Sequence, residues 1–403
     1  MLSALRSGSF ATPERRRVYS ILLLVAYVAT MVALLATADG IVDRAGRPIG
    51  TDFANVYAAG RLALDGQAAQ AYDWPAHHDM QRRISGRQDI PYYGWHYPPM
   101  FLIVAAALAV LPYLAALFTY QAVTLAAYVA VVRTIAGRPE AWLPALAFPA
   151  VFVNITHGHN GFITAALLGG GLLLLERRPL WAGVLLGCLA YKPQLGLLVP
   201  LVLVATGRWR TLAGAAASVV ALTALTWTIF GTQVFVAFWD SLPMTRLVAW
   251  EGAPGFYKIQ STYAALRLAG APAALANAAQ LIVTLGACIG LIGLWRSSAA
   301  FELKAAGLII GSAIATPYVL DYDLVVLGPA IAFLVALGLR QGFAPYEITL
   351  LTALWVLPLV ARSLAELTSV STAPVLLIAA LIFILQRAGI LQAATAHLPN
   401  RVR

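Results

Sequence analysis

The stretch "PPMFLIVAAALAVLPYLAALFTYQAVTLAAYVAVV" (Pro98–Val132) runs for 35 residues without a charge, and how it is divided decides the fold. A helix needs roughly 20 apolar residues to cross a hydrocarbon core about 30 Å thick. The run is therefore too long for one span and barely long enough for two. Its natural break is Leu111-Pro112-Tyr113, because proline cannot continue a helix. Two spans here would move every later loop to the opposite side of the bilayer. One half-inserted helix (Pro99–Leu111) at the outer surface, followed by one span (Tyr113–Val132), keeps all the later loops consistent. We take the second division.

That consistency is judged by basic residues, which mark cytoplasmic loops. Clusters fall at Arg15–Arg17, Arg133 with Arg138, Arg177–Arg178, Arg208 with Arg210, and Arg296 with Lys304, then at Arg340 and at Arg387 with Arg401 and Arg403. If all lie on one side, each interval holds an even number of spans. Pro139–Asn154 and Phe162–Leu175 form one pair, hinged at "THGHNG". Leu180–Tyr191 and Gln194–Ala205 form a second, hinged at "YKPQ", and Leu303–Tyr318 and Leu324–Leu339 a third, hinged at "YVLDYD". The expected fold is all-α and integral to the membrane: a polytopic helical bundle of about 12 transmembrane helices, with interfacial helices in the first outer loop.

Composition excludes the main alternatives. The 403 residues are 61% hydrophobic and 11% charged, against about 25% charged in soluble domains. Val18–Ala38, Thr211–Phe230 and Ala274–Trp295 are free of charge, and no ten-residue alternation suggests a barrel. The net charge of +10 comes from short clusters between apolar runs, so it specifies topology and not nucleic-acid binding. Cys188 and Cys288 lie in apolar segments and read as packing residues. Val18–Ala38 is longer than a signal-peptide core and many spans follow it, so it is expected to be a retained first helix. One membrane domain is expected over 1–403: a first span (18–38), an outer loop with juxtamembrane helices (39–112) and the remaining spans (113–390).

On this scheme four polar points share the outer face: Asp52, His157–Asn160, Lys192, and Asp321 with Asp323. "TDFANVYAAGRLALDG" (Thr51–Gly66) has a helical stripe of Phe53, Val56, Tyr57, Gly60 and Leu64. Thr51 or Asp52 can cap it, and Gly66 can end it. "WPAHHDMQRRI" (Trp74–Ile84) suggests a second, more polar helix. "PYYGWHYPP" (Pro91–Pro99) holds aromatics suited to the headgroup level or to a sugar. A carboxylate at a bilayer edge is costly unless used or paired, and Asp52 can serve as a general base. Lys192, the one charge between Arg178 and Arg208, can hold a lipid phosphate, with Arg246, Lys258 or Arg61 as alternatives. His157 and His159 are too few for a zinc site without further ligands, so no metal site is expected there.

Taken in order, "DFANVYAAGRLALDG…AYD", "HYPPMFLIVAAALAVLP", "HGHNGFITAALL" and "WAGVLLGCLAYKPQLGLLVPLVLVATGRWR" resemble glycosyltransferase family 87 of the GT-C superfamily, over roughly Thr51 to Arg340. The resemblance implies a sugar transferase of the mannosyl or arabinosyl type, drawing on a polyprenyl-phosphate sugar at the outer face of the inner (plasma) membrane. It places the catalytic aspartate at Asp52, the Lys-Pro pair at Lys192-Pro193, and a polar pair at Asp321 and Asp323. Where many members carry Gly-Gln-Asn, this chain has Gly158-His159-Asn160. The expected substrate-contacting set is Tyr57, His96, Tyr97, His157, His159, Asn160, Asp321, Tyr322 and Asp323. Expected partners are membrane lipids, the lipid-linked sugar and a glycolipid or glycan acceptor, with no nucleic acid and no cofactor; a divalent metal is not required, although Asp321 and Asp323 leave that option open. The competing class is a polytopic transporter or glycolipid flippase. It is disfavoured because the polar residues sit at span ends and the halves show no repeat.

Overall fold

The computed structural model describes residues 1–391, so Arg401 and Arg403 lie outside the described residues. Helices dominate, and among the described residues only isolated bridges, such as Ile259 with Leu320, replace strands. Twenty α-helices follow one another in the described residues. The first five are α1 (Leu2–Ser7), α2 (Pro13–Ala36), α3 (Thr51–Leu64), α4 (Trp74–Ser85) and α5 (Leu102–Ala109). Next come α6 (Tyr113–Ala136), α7 (Trp142–Leu146), α8 (Pro149–His157), α9 (Gly161–Leu174), α10 (Pro179–Gly187), α11 (Pro193–Gly196) and α12 (Leu198–Ala205). The remainder are α13 (Trp209–Phe230), α14 (Gln233–Trp250), α15 (Thr262–Leu268), α16 (Ala273–Arg296), α17 (Phe301–Ala315), α18 (Leu327–Gln341), α19 (Glu347–Thr368) and α20 (Ala373–Arg387).

Among the described residues six helical runs are long and apolar enough to cross a membrane: α2, α6, α13, α16, Asp321–Gln341 and α19. Pro99–Ala109, α9, Pro179–Tyr191, Pro193–Ala205 and α20 are apolar but shorter. On α2, α13 and α16, Leu22, Val25, Val28, Val220, Ile282 and Ile289 are exposed, as side chains facing lipid are. The division of Pro98–Val132 matches the helices: Pro99–Ala109 ends before Pro112, and α6 begins at Tyr113.

The first loop is folded tightly. α3 begins as anticipated, but its N-cap is Gly50 in the left-handed region, with no side-chain cap bond. Thr51 and Asp52 therefore lie inside the first turn, which corrects the capping assignment. The stripe also widens: Phe53 through Gly60 are buried without a break, while Leu64 is 45% exposed. α3 is enclosed because α5 covers it. A Cβ on Gly60 would lie 2.1 Å from the Ala105 carbonyl oxygen, a contact open only to glycine. Tyr57 donates to the Leu111 carbonyl at 2.8 Å and Tyr113 to that of Ile49 at 2.8 Å, tying α3 to the α5–α6 break. Trp95, expected at the headgroup level, is 1% exposed and stacks on Phe101; it is a core residue of this loop.

Helix direction then sorts the charges. α9, α12, α16 and α18 run away from the loop-bearing end, while α10, α17 and α19 run back toward it. At the far end, Arg208 pairs with Glu176 at 2.6 Å, Arg340 with Glu302 at 2.7 Å, and Arg387 with Glu347. There too, Arg296 donates to the Ala205 carbonyl at 2.9 Å.

Candidate active site

The site begins with two glycines. Gly158, at φ +61°, turns α8 into α9, and a Cβ there would lie 2.7 Å from Phe53 Cβ and 3.2 Å from Gly50 Cα. This conformation and this closeness require glycine. The "HGHN" turn consequently rests on the first turn of α3, bringing residues about a hundred positions apart against Asp52.

Asp52 is half-buried and, among the described residues, has neither a hydrogen bond nor an ion pair, and its Oδ2 is shut away from solvent. Burial pushes its carboxyl up from 3.8 to about 6. His157, Lys192 and Lys258 oppose that rise and Asp321 adds to it, so the polar points expected to converge do share one electrostatic environment.

Lys192 stands where α10 has broken, after the 3-10 turn Cys188–Tyr191 and before Pro193 at the start of α11. A residue preceding proline leaves helical geometry, and this break turns the side chain inward. Lys192 is 4% exposed; Nζ pairs with Asp323 and donates to Asn160 Oδ1 at 3.1 Å. Asp323 also accepts from the Leu320 amide at 3.1 Å, and Asp321 accepts from Arg362 at 3.1 Å.

Aromatic and imidazole rings line the rest. His159 stacks on Tyr322 with ring centres 3.6 Å apart, and Tyr97 Oη lies 3.3 Å from its Nε2. His157 meets Tyr322 edge-on at 5.7 Å, and the Lys192 ammonium lies 5.6 Å from the same ring centre. His159 Nδ1, Asn160 Nδ2 and Asn154 Oδ1 are buried polar atoms without partners among the described residues. Such atoms are rare in finished cores and are available to a ligand's hydroxyls.

Two expected members stand apart. Tyr57 is committed to the Leu111 carbonyl. His96 bonds Thr245 of α14 at 3.0 Å and packs edge-on against Trp74. Burial drives its imidazole down to about 4, which leaves it neutral at pH 7. Of the alternative cations, Arg61 pairs with Asp65 at 3.5 Å, and Arg246 is exposed on α14. Lys258 alone joins Lys192 in the field of Asp52.

Other participants escaped the sequence reading. Tyr191 bonds Thr164 and the Asn160 carbonyl, Gln121 holds the His159 carbonyl at 3.0 Å, and Asn154 holds that of Tyr322 at 3.1 Å. Arg362 is the most consequential. An arginine 15 residues into the apolar helix α19 was itself a signal, since a charge within a span suggests a site. Two surface hollows, of about 430 Å³ beside Asp73 and about 310 Å³ beside Trp227, lie elsewhere. Among the described residues no group of three or more His, Cys, Asp or Glu is placed to hold a metal ion.

The fold and site together define a helical membrane protein with a buried, charge-balanced polar centre at one end of its bundle. A family model, glycosyltransferase family 87, matches residues 95–317, more than half of the chain. The chain belongs to that family and is a membrane glycosyltransferase. The match includes His157–Asn160 and Lys192; Asp52, Asp321, Asp323 and Arg362 lie outside it. No curated protein and no solved structure shows significant similarity to the chain.

Proposed function

We propose that this glycosyltransferase moves a mannose- or arabinose-like sugar from a polyprenyl-phosphate donor to a lipid or glycan acceptor, with Asp52 as general base. The observation that carries this reading is the Asp52 carboxylate: half-buried, without a hydrogen-bond or ion-pair partner among the described residues, and set in the field of His157, Lys192, Lys258 and Asp321. The acceptor hydroxyl gives its proton to Asp52, and its oxygen forms a bond to the anomeric carbon. The bond from that carbon to the phosphate oxygen breaks, and the lipid phosphate leaves with the electron pair. One displacement from the opposite face inverts the anomeric centre. A base with a pKa near 6 is ionised in about nine molecules of ten at pH 7, yet basic enough to take the proton as the new bond forms.

Lys192 supplies positive charge to the centre. An ammonium has three donors; two are engaged by Asp323 and Asn160, leaving one for a donor oxygen. His157, His159, Asn160, Tyr97 and Tyr322 are the proposed sugar contacts. A monophosphate donor needs no metal.

We place this end of the bundle at the outer face of the inner (plasma) membrane, with Arg208, Arg296, Arg340 and Arg387 on the cytoplasmic side. The proposed twelve crossings are α2, α6, α7–α8, α9, Pro179–Tyr191, α11–α12, α13, α16, α17, Asp321–Gln341, α19 and α20. Purified protein in detergent, given a polyprenyl-phosphate sugar and membrane lipid extract, tests the reading. Transfer that Asp52→Asn abolishes is expected, and near-normal turnover by that variant rejects the base.

A further inference from the structure

The proposed donor must have its phosphate held while charge builds on the leaving oxygen. The cations at the site differ in how many of their donors are already spent. Lys192 is nearly sealed, with two of its three donors already engaged. Arg362 is 34% exposed and spends one guanidinium donor on Asp321. A guanidinium has five donors in a planar fork that matches phosphate oxygens. Lys258 forms no ion pair among the described residues; its ammonium lies 5.6 Å from the centre of the Tyr257 ring. The Arg362 guanidinium lies 5.8 Å from the centre of that same ring. One aromatic ring thus carries two cations with unused donors, and Lys258 is already within the field of Asp52.

The placement is built into the backbone. Gln260 donates its amide to the Val319 carbonyl at 2.6 Å, and Ile259 bridges Leu320. These contacts hold the Phe256–Lys258 turn beside the segment carrying Asp321 and Asp323. α19 brings Arg362 to the same point from across the bundle. Asp321 balances one of the two positive charges, and the second has no counter-charge in contact.

Resting on the lipid-phosphate donor proposed above, we infer that Arg362 and Lys258, presented on the Tyr257 ring, are the residues that grip the donor's phosphate. Lys192 and Asp323 then form the closed pair behind the sugar. The arrangement favours the product-like charge distribution, because the leaving monoester gains negative charge against cations that are not yet neutralised.

The test uses the full chain in nanodiscs and measures binding of undecaprenyl phosphate against undecaprenol, so that the sugar need not be known. Wild-type protein is expected to prefer the phosphate. Lys258→Gln and Arg362→Gln should each weaken phosphate binding about tenfold, as loss of a charge-assisted hydrogen bond does, with the alcohol unchanged. The double variant should lose the preference, and Arg362→Lys should keep part of it. Lys258→Gln keeps the test decisive should Arg362→Gln disturb the fold through Asp321. A double variant with wild-type preference overturns this assignment and leaves the base and donor class standing. Wild-type protein without any preference overturns the donor class, and this assignment with it.

Discussion

At Asp52 a carboxylate is held in surroundings that disfavour its charge, and two measurable consequences follow. Its folded pKa, about 6, lies above the ordinary 3.8. The protonated form is therefore the one that favours folding: that contribution is fully present below about pH 3.8 and is lost as pH rises through about 6. At pH 7.5 the ionised group strains the fold by at most about 3 kcal/mol. Asp52→Asn should accordingly raise the thermal midpoint at pH 7.5 and leave it unchanged near pH 4, as differential scanning fluorimetry in detergent would register. The same ionisation should set the acid limb of kcat/KM, falling about tenfold per unit below pH 6. A profile flat to pH 5 rejects Asp52 as the base. Lys192 behaves oppositely. Lys192→Ala leaves the Asp323 carboxylate buried without its cation and should cost about 3–5 kcal/mol. Lys192→Met with Asp323→Leu should recover most of that stability in the same assay, with transfer still impaired.

Helix packing holds the carboxylate in place. α3 is clamped between α5 and the Gly158 turn, so a methyl group in the wrong place should displace the proposed base. Gly60→Ala puts a Cβ 2.1 Å from the Ala105 carbonyl oxygen and should destabilise by about 1–3 kcal/mol. Its kcat should fall more than its donor affinity. Gly286→Ala on α16 is the control: nothing lies within 4 Å of the added carbon, and helix propensity favours alanine by up to about 1 kcal/mol. Equal effects at the two sites would show that the α3–α5 contact does not govern Asp52.

Across the whole molecule, charge divides between the two ends. One end gathers Asp52, Lys192, Lys258, Asp321, Asp323 and Arg362. The other closes its arginines on Glu176, Glu302 and Glu347. With Cys188 and Cys288 replaced, Asp65→Cys and Gln341→Cys give exposed reporters on opposite ends. A membrane-impermeant maleimide should label position 65 in intact cells and position 341 only after permeabilisation. The reverse pattern would put the end bearing Asp52 in the cytoplasm and reject the external donor.

The sequence alone determined the membrane setting, the helical class, the break at Pro112 and the family, because these depend on local quantities: apolar length, proline, charge spacing and short motifs. It also singled out Asp52, Lys192, Asp321 and Asp323, since a charge beside an apolar run is conspicuous wherever the run ends. Tertiary structure alone decided who faces whom. Gly50 took the cap from Asp52, leaving the carboxylate without a partner. Tyr57 and His96 turned away to Leu111 and Thr245, and Lys192 closed on Asp323 across 131 residues. Arg362 was conspicuous as a charge inside an apolar helix, but only packing put it beside Asp321. Side-chain direction at a helix end is set by the helix packed against it, and that neighbour is rarely adjacent in the chain.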